Sequence, residues 1–164
     1  KRMSIKQDGI LQKAWQSKPD NLPLKTPEEA LILASIIEKE TGIKSERQII
    51  ASVFINRLRR GMPLQTDPSV IYGITKGQKI LGRGLRQSEL RKDTPWNTYL
   101  RGGLPPTPIA NPGEESIFAA LNPENTDFLF FVADGTGGHA FATNLRDHNK
   151  NVASWRAIEK NQKN

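Results

Sequence analysis

Two carboxylates close a predicted helix in the run Glu38-Lys39-Glu40-Thr41. At ~100° per residue, Glu40 falls ~20° from Leu33 on the helical wheel, at one edge of the apolar face. Glu38 falls near Ala34 and Leu31, at the other edge, and Lys39 points to solvent. A carboxylate beside an apolar face loses hydration, which raises its pKa, and the negative end of the helix dipole acts in the same direction. A glutamic acid protonated near neutral pH is what general-acid cleavage of a glycosidic bond requires. The ordinary alternative is that these are solvated edge glutamates, since Glu is a good helix former.

The other candidates have simpler readings. Asp134-Gly135-Thr136-Gly137-Gly138 lacks the Gly-Lys-Ser/Thr ending and following helix of a phosphate loop, so it reads as a hairpin turn. His139 leads the next strand and suits structural hydrogen bonding better than catalysis. Ser35 and Ser116 lack a nucleophile-elbow context. Arg57, Arg59 and Arg60 crowd one helix end, where the dipole favours them. Trp15 and Trp155 read as core. Trp96, in the loop Thr94-Pro95-Trp96-Asn97-Thr98-Tyr99, is the tryptophan expected beside a ligand, because rings next to amides suit sugars as well as bases.

Positioning these groups requires a helix-rich chain. A first helix is expected within residues 5–17, interrupted or started near Gly9. Thr26-Pro27-Glu28-Glu29 opens the helix that ends in Glu40, with Thr26 as cap, Pro27 at the first position and Glu29 completing a capping box. Ala30, Leu33, Ala34 and Ile37 follow at helical spacing, and Gly42 is the expected stop. Ser45-Glu46-Arg47-Gln48 reads as a second capping box before a helix burying Ile49, Ile50, Val53, Phe54 and Leu58. Residues 63–112 are turn-rich. Asp67-Pro68 starts about two turns through Tyr72, with Asp67 either as N-cap or as a substrate or Glu-orienting contact. Ser88 starts another short piece. Asn111-Pro112-Gly113-Glu114 opens a helix through Leu121. Residues 128–133 and 139–143 form a β-hairpin, and a last helix covers about 147–160. The fold class is α+β, helix-rich with a C-terminal β-hairpin.

Composition bounds the function. The 164 residues carry 24 Lys and Arg against 17 Asp and Glu, a net charge of +7. A basic chain suits nucleic acid, an anionic membrane face or an anionic polymer. No apolar run reaches the ~18 residues of a membrane span. The absence of cysteine excludes disulfides, zinc–thiolate sites and cysteine nucleophiles, and two histidines disfavour a multi-histidine metal site. Nucleic acid is disfavoured because the aromatics do not interleave with Lys and Arg on a recognisable sheet motif. The start at Lys1-Arg2-Met3, without a signal-peptide pattern, reads as an excised piece.

Residues 34–41 (ASIIEKET), 51–58 (ASVFINRL) and 64–73 (LQTDPSVIYG) resemble the signature of the endolytic murein transglycosylases, the YceG-like family. Asn97-Thr98-Tyr99, Gly103-Leu104-Pro105-Pro106, Phe131-Val132-Ala133 and His139-Ala140-Phe141 continue the match in order. The block order also resembles lysozyme-like lytic transglycosylases: Glu40-Thr41, then Leu64-Gln65, then Trp96-Asn97. The likeness covers residues 23–151. It implies a single catalytic domain over 1–164, with an N-terminal helical extension at 1–22, the family core, and the end of a C-terminal helix at 152–164. The active-site region would be distantly lysozyme-like.

The resemblance implies an enzyme of the bacterial cell envelope, anchored in the cytoplasmic membrane through a segment absent from this chain and facing the wall. Such enzymes cut nascent peptidoglycan glycan strands internally, between N-acetylmuramic acid and N-acetylglucosamine, leaving 1,6-anhydro ends without hydrolysis. The Glu of the Glu-Thr pair, here Glu40, is the expected catalytic residue. Gln65, Asn56, Asn97 and Tyr99 are expected to hold sugar hydroxyls and acetamides, with Thr66, Asp67, Tyr72 and Trp96 beside them and Glu38 as a second carboxylate nearby. Many relatives have Tyr at the position of Trp96. No cofactor or metal is required, and coupling to peptidoglycan synthases is implied. The alternatives are a hydrolytic muramidase using the same acid and a non-catalytic wall-binding module.

Overall fold

The computed structural model describes residues 2–162, with side-chain surroundings for 7–161. Residue 1 and residues 163–164, the outer ends of the two expected flanking segments, lie outside the described residues. The order is α1 (Arg2–Gln16), α2 (Pro27–Glu40), a 3₁₀ turn (Lys44–Glu46), α3 (Arg47–Arg59), α4 (Asp67–Thr75), α5 (Gln87–Leu90), α6 (Glu114–Leu121), β1 (Phe130–Ala133), β2 (His139–Ala142) and α7 (Leu145–Gln162). The strands form an antiparallel pair with Phe131 opposite Phe141 and Ala133 opposite His139. The chain is α+β. Among the described residues no helix is long and apolar enough to cross a membrane.

α2 is the central helix. Ala30 and every residue from Ile32 to Ile37 are buried, so it is enclosed on most sides by α1, α3, α4 and α6. Its start follows the sequence rule with one shift. Thr26 accepts the Glu29 N–H at 3.2 Å, but the Glu29 carboxylate reaches back to the Lys25 N–H at 2.6 Å, one residue earlier than a capping box predicts. Phe54 on α3 meets Phe131 on β1 edge-on at 5.8 Å, which fixes the hairpin against the helical core.

Several expectations are corrected. α1 runs unbroken through Gly9 because Leu11 and its partly buried neighbours Ile10 and Ala14 pack on the core. The second capping box does not form. A 3₁₀ turn precedes α3, and Glu46 at its N-cap makes no cap bond because its carboxylate is engaged by Thr41 and His139. α4 continues past Tyr72 to Thr75, closed by Lys76 in the left-handed region. Its N-cap is Thr66, so Asp67 is the first helical residue. α5 starts at Gln87, one residue before Ser88. β1 starts at Phe130 and α7 at Leu145, where Asn144 accepts the Asp147 N–H at 2.9 Å. At the hairpin turn Gly135 has φ +89°, and a Cβ there would lie 3.0 Å from Ile158 on α7. Both facts favour glycine.

Candidate active site

Glu40 is the last residue of α2, and Thr41 leaves the helix in extended conformation. The break turns the Glu40 side chain toward the loop before α4. Its Oε1 accepts a 2.5 Å hydrogen bond from the Thr66 hydroxyl. Thr66 is buried and is itself held. Its N–H donates to Thr98 Oγ1 at 3.0 Å, and its carbonyl accepts from Ser69 at 2.9 Å. Thr98 and Ser69 share a hydroxyl contact at 2.9 Å. A linked set of hydroxyls therefore fixes the donor that faces Glu40.

This environment raises the Glu40 pKa to about 7. Burial of the carboxyl is the largest cause. The Thr66 hydrogen bond opposes it, the charge of Asp67 adds to it, and His139 opposes it. The direction agrees with the sequence reading, but the neighbouring segments dominate it.

Asp67 accepts a 2.6 Å bond from the Tyr99 hydroxyl. Burial is the main reason the Tyr99 pKa is raised, and Asp67 adds to it, so Tyr99 stays a neutral donor. Gln65 stands in the left-handed region with φ 53°, held by its N–H to Thr98 O at 3.1 Å. Its side-chain oxygen accepts from Arg57 Nη1 at 3.2 Å. Glu40, Gln65, Asp67 and Tyr99 line one cavity of about 460 Å³, whose opposite wall is β1, His139, His148 and Val152.

A second cavity of about 280 Å³ shares Glu40, Ala133 and His139 with the first, and is completed by Trp155 and the hairpin glycines. Glu40 and His139 thus stand at the junction of two hollows. His139 donates its backbone N–H to Glu46 Oε1 at 2.9 Å, and its Nδ1 lies 2.8 Å from Glu46 Oε2. The same Oε2 accepts from Thr41 at 3.2 Å. Glu46 thereby ties the residue after the acid to the first residue of β2. A larger cavity of about 930 Å³ lies between α1, α3 and α6 and contains none of these groups, so size alone does not select the site.

Five expected contacts are not brought to Glu40. Glu38 accepts from Ser116 Oγ at 2.6 Å and from Gly113 N at 3.2 Å, so it closes the N-terminus of α6 from outside. Burial pushes its pKa up, but these bonds and Arg47 bring it net below the ordinary value. Asn97 is 0% exposed. Its amide donates to Leu90 O and Lys92 O, both at 2.9 Å, and accepts from Tyr99 N at 3.0 Å. It organises the loop instead of reaching sugar. Asn56 donates to Thr126 O and Phe128 O at 2.8 and 3.0 Å, tying α3 to the approach of β1. Trp96 donates to Thr107 and meets Tyr72 edge-on at 5.6 Å, with Lys76 over its ring. Tyr72 lines a separate cavity of about 540 Å³ with Pro68, Ile71 and Ile109.

The sequence reading passed over Thr98, Glu46, Arg57, Phe130 and His148 as site-building residues. A signal existed for Arg57: it continues the buried stripe Ile50, Phe54 at helical spacing, where a cation is out of place unless it has a task. Thr98 stands in the block Asn97-Thr98-Tyr99 that carries the resemblance, though nothing there singles out its hydroxyl, and nothing in the sequence marks His148.

The fold and site define an α+β domain that mounts one near-neutral carboxylic acid at a helix end, against a hairpin-walled cleft. The YceG-like family model matches residues 1–154, and the chain belongs to the YceG-like family. It is 47% identical over 121 residues to an endolytic murein transglycosylase of Bacillus subtilis (strain 168), covering 73% of this chain and 32% of that protein. It is 40% identical over 130 residues to one from Streptococcus pneumoniae, covering 78% and 24%. A crystal structure of a YceG-like protein from Listeria monocytogenes superposes with TM-score 0.68 at 44% identity, over 76% of this chain and 38% of that one. The chain thus spans about a third or less of the curated relatives it matches.

Proposed function

We propose that this chain carries the catalytic centre of an endolytic murein transglycosylase, with Glu40 as general acid and then general base. The observation that carries this reading is a single carboxylic acid with pKa about 7 in a cleft, placed at the Glu-Thr position of the family signature. At neutral pH a large fraction of Glu40 is protonated and able to donate to the glycosidic oxygen. The Thr66 hydroxyl fixes the carboxyl and stabilises the carboxylate left after transfer. The positive charge that develops on the sugar is met by the acetamide of the muramic residue, as in substrate-assisted glycosidases. Ionised Glu40 then removes the proton from the C6 hydroxyl, which attacks C1 and closes the 1,6-anhydro ring. Acid and base are one residue, and its pKa near 7 suits both steps.

Gln65, Asp67 and Tyr99 line the cavity beside Glu40 and supply acceptors and a donor for sugar hydroxyls and acetamides. The substrate is the peptidoglycan glycan strand. The reading places the working enzyme at the extracytoplasmic face of the cytoplasmic membrane, anchored by sequence outside this chain and coupled to peptidoglycan synthases.

The test is digestion of purified glycan strands by wild type and Glu40→Gln, with products resolved by mass spectrometry. Anhydro-ended internal fragments from wild type, absent with the variant, are expected. Reducing ends would identify a hydrolase. Full activity in the variant would remove Glu40 from the reaction.

A further inference from the structure

Arg57 is 7% exposed and has no carboxylate partner among the described residues. Its Nε donates to Leu129 O at 2.7 Å. Nη1 donates to Pro63 O, Leu64 O and Gln65 Oε1 at 2.9, 3.2 and 3.2 Å. All four acceptors are neutral. Among the described residues Nη2 makes no hydrogen bond, it is not one of the sealed polar atoms that lack a partner, and Arg57 lines the cavity that holds Glu40. A buried cation is costly unless an anion meets it. A purely structural clamp on residues 63–65 accounts for Nε and Nη1. It does not account for the missing counter-ion or for Nη2.

The Phe130 ring carries a second nitrogen donor beside the guanidinium, a histidine whose pKa burial and the neighbouring Arg57 charge hold below its ordinary value. Arg57 Cζ lies 5.1 Å from its centroid, and His148 stacks on it at 5.0 Å with a 22° interplanar angle. His148 lines the same cavity. Its Nδ1 is buried without a partner, which leaves Nε2 as the ring nitrogen able to serve a ligand. The cavity is therefore lined by the carboxyl groups of Glu40 and Asp67 and by two donors, the Arg57 guanidinium and the His148 imidazole.

We propose that Arg57 and His148 form an anion subsite that takes a carboxylate carried by the glycan substrate. This rests on the transglycosylase reading. Two sources supply that chemistry: the lactyl carboxylate of a muramic residue without its peptide, and a free carboxylate of the stem peptide. Either would give the Arg57 guanidinium the charge it lacks and would fix how far the strand enters past Glu40. Arg57 and His148 would then select among strands by what their muramic residues carry.

The test uses the Glu40→Gln protein, so that bound strands are not cut, and isothermal titration. The ligands are peptide-free glycan strands, strands with intact stem peptides, and each of these with its carboxylates converted to amides. At least one carboxylate form is expected to bind about tenfold or more tightly than its own amide. Which pair shows the difference identifies the source. Adding His148→Phe, which keeps the stack on Phe130 and removes Nε2, is expected to reduce that ratio to about twofold or less. Arg57→Lys is expected to do the same if the protein stays folded, and His148→Phe decides the matter where it does not. Equal affinity for every acid and its amide overturns the subsite while leaving the glycan reading intact. An undiminished ratio in His148→Phe removes His148 and overturns the paired site. Failure to bind any strand overturns the glycan reading and this proposal with it.

Discussion

Replacing Glu40 by Gln should change the pH dependence of stability in a way that no other single substitution here would. Gln is nearly isosteric, still accepts the Thr66 hydrogen bond and cannot ionise. In the folded protein Glu40 has a pKa of about 7, against 4.5 for the unperturbed group. The folded state therefore holds the proton more tightly than the unfolded chain. That contribution to stability is complete below pH 4.5 and is lost as pH rises to 7. A difference of 2.5 pH units corresponds to roughly 3 kcal/mol. Glu40→Gln should accordingly gain on wild type by about 3 kcal/mol between pH 4 and pH 8, whatever its offset at pH 4. In a domain of this size that is a relative rise in Tm of roughly 6–12 °C. Urea unfolding of both proteins at pH 4, 5.5, 7 and 8.5 isolates the contribution of Glu40 and the groups coupled to it, since titrating groups that do not interact with it cancel in the difference. A difference flat to within about 0.5 kcal/mol would refute the argument that burial holds this carboxyl protonated.

Activity should fall as pH rises through about 7, and two neighbours should move that limb in opposite directions. Thr66→Val removes a bond that favours the carboxylate and should shift the limb to higher pH; Asp67→Asn removes a charge that disfavours it and should shift the limb lower, with pH–rate profiles as the check. Asn97→Ala should cost about 2–4 kcal/mol in urea unfolding, from three lost hydrogen bonds at a buried site, with KM nearly unchanged in whatever folded fraction remains. A KM rise without loss of stability would restore Asn97 as a substrate contact. Gln65→Gly should be more stable than Gln65→Ala by about 1 kcal/mol, because both lose the side chain and only glycine is at ease at φ 53°. The ordinary order, Ala above Gly, would remove strain from the account of this loop.

The parts legible in sequence are those decided by neighbours along the chain. Thr26-Pro27 marks the start of α2, the spacing of Ala30, Leu33 and Ile37 marks its buried face, and the glycine-rich turn between β-rich runs marks the hairpin. Glu40 follows from these, because its place relative to the apolar face is a property of one helix. Asn97 was not legible. A loop asparagine reads the same whether its amide meets a sugar or three backbone groups, and only its complete burial decides. Glu38 illustrates the same limit. The helical wheel puts it ~160° from Glu40, at the other edge of the apolar face, but that this edge meets the bare N-terminus of α6 and not the cleft is known only from packing.

The acid is tuned by a loop as much as by its helix. Thr66 and Asp67 are adjacent and act on Glu40 in opposite senses, the hydroxyl favouring the carboxylate and the charge favouring the acid. Both are aimed by Gln65, whose left-handed backbone redirects the chain between Leu64 and the start of α4. Strained backbone beside a reacting group persists only where its surroundings fix it. Here Thr98 holds both sides of the bend, accepting Gln65 N–H on its carbonyl and Thr66 N–H on its hydroxyl, while Arg57 holds the Gln65 side chain. Thr98 in turn is set by the turn that buried Asn97 closes. The residues expected to grip the substrate and those found to build the loop thus belong to one chain of cause. Asn97 affects Glu40 through Thr98 and Thr66. Its loss should disturb the pKa of the acid before it disturbs affinity for any sugar.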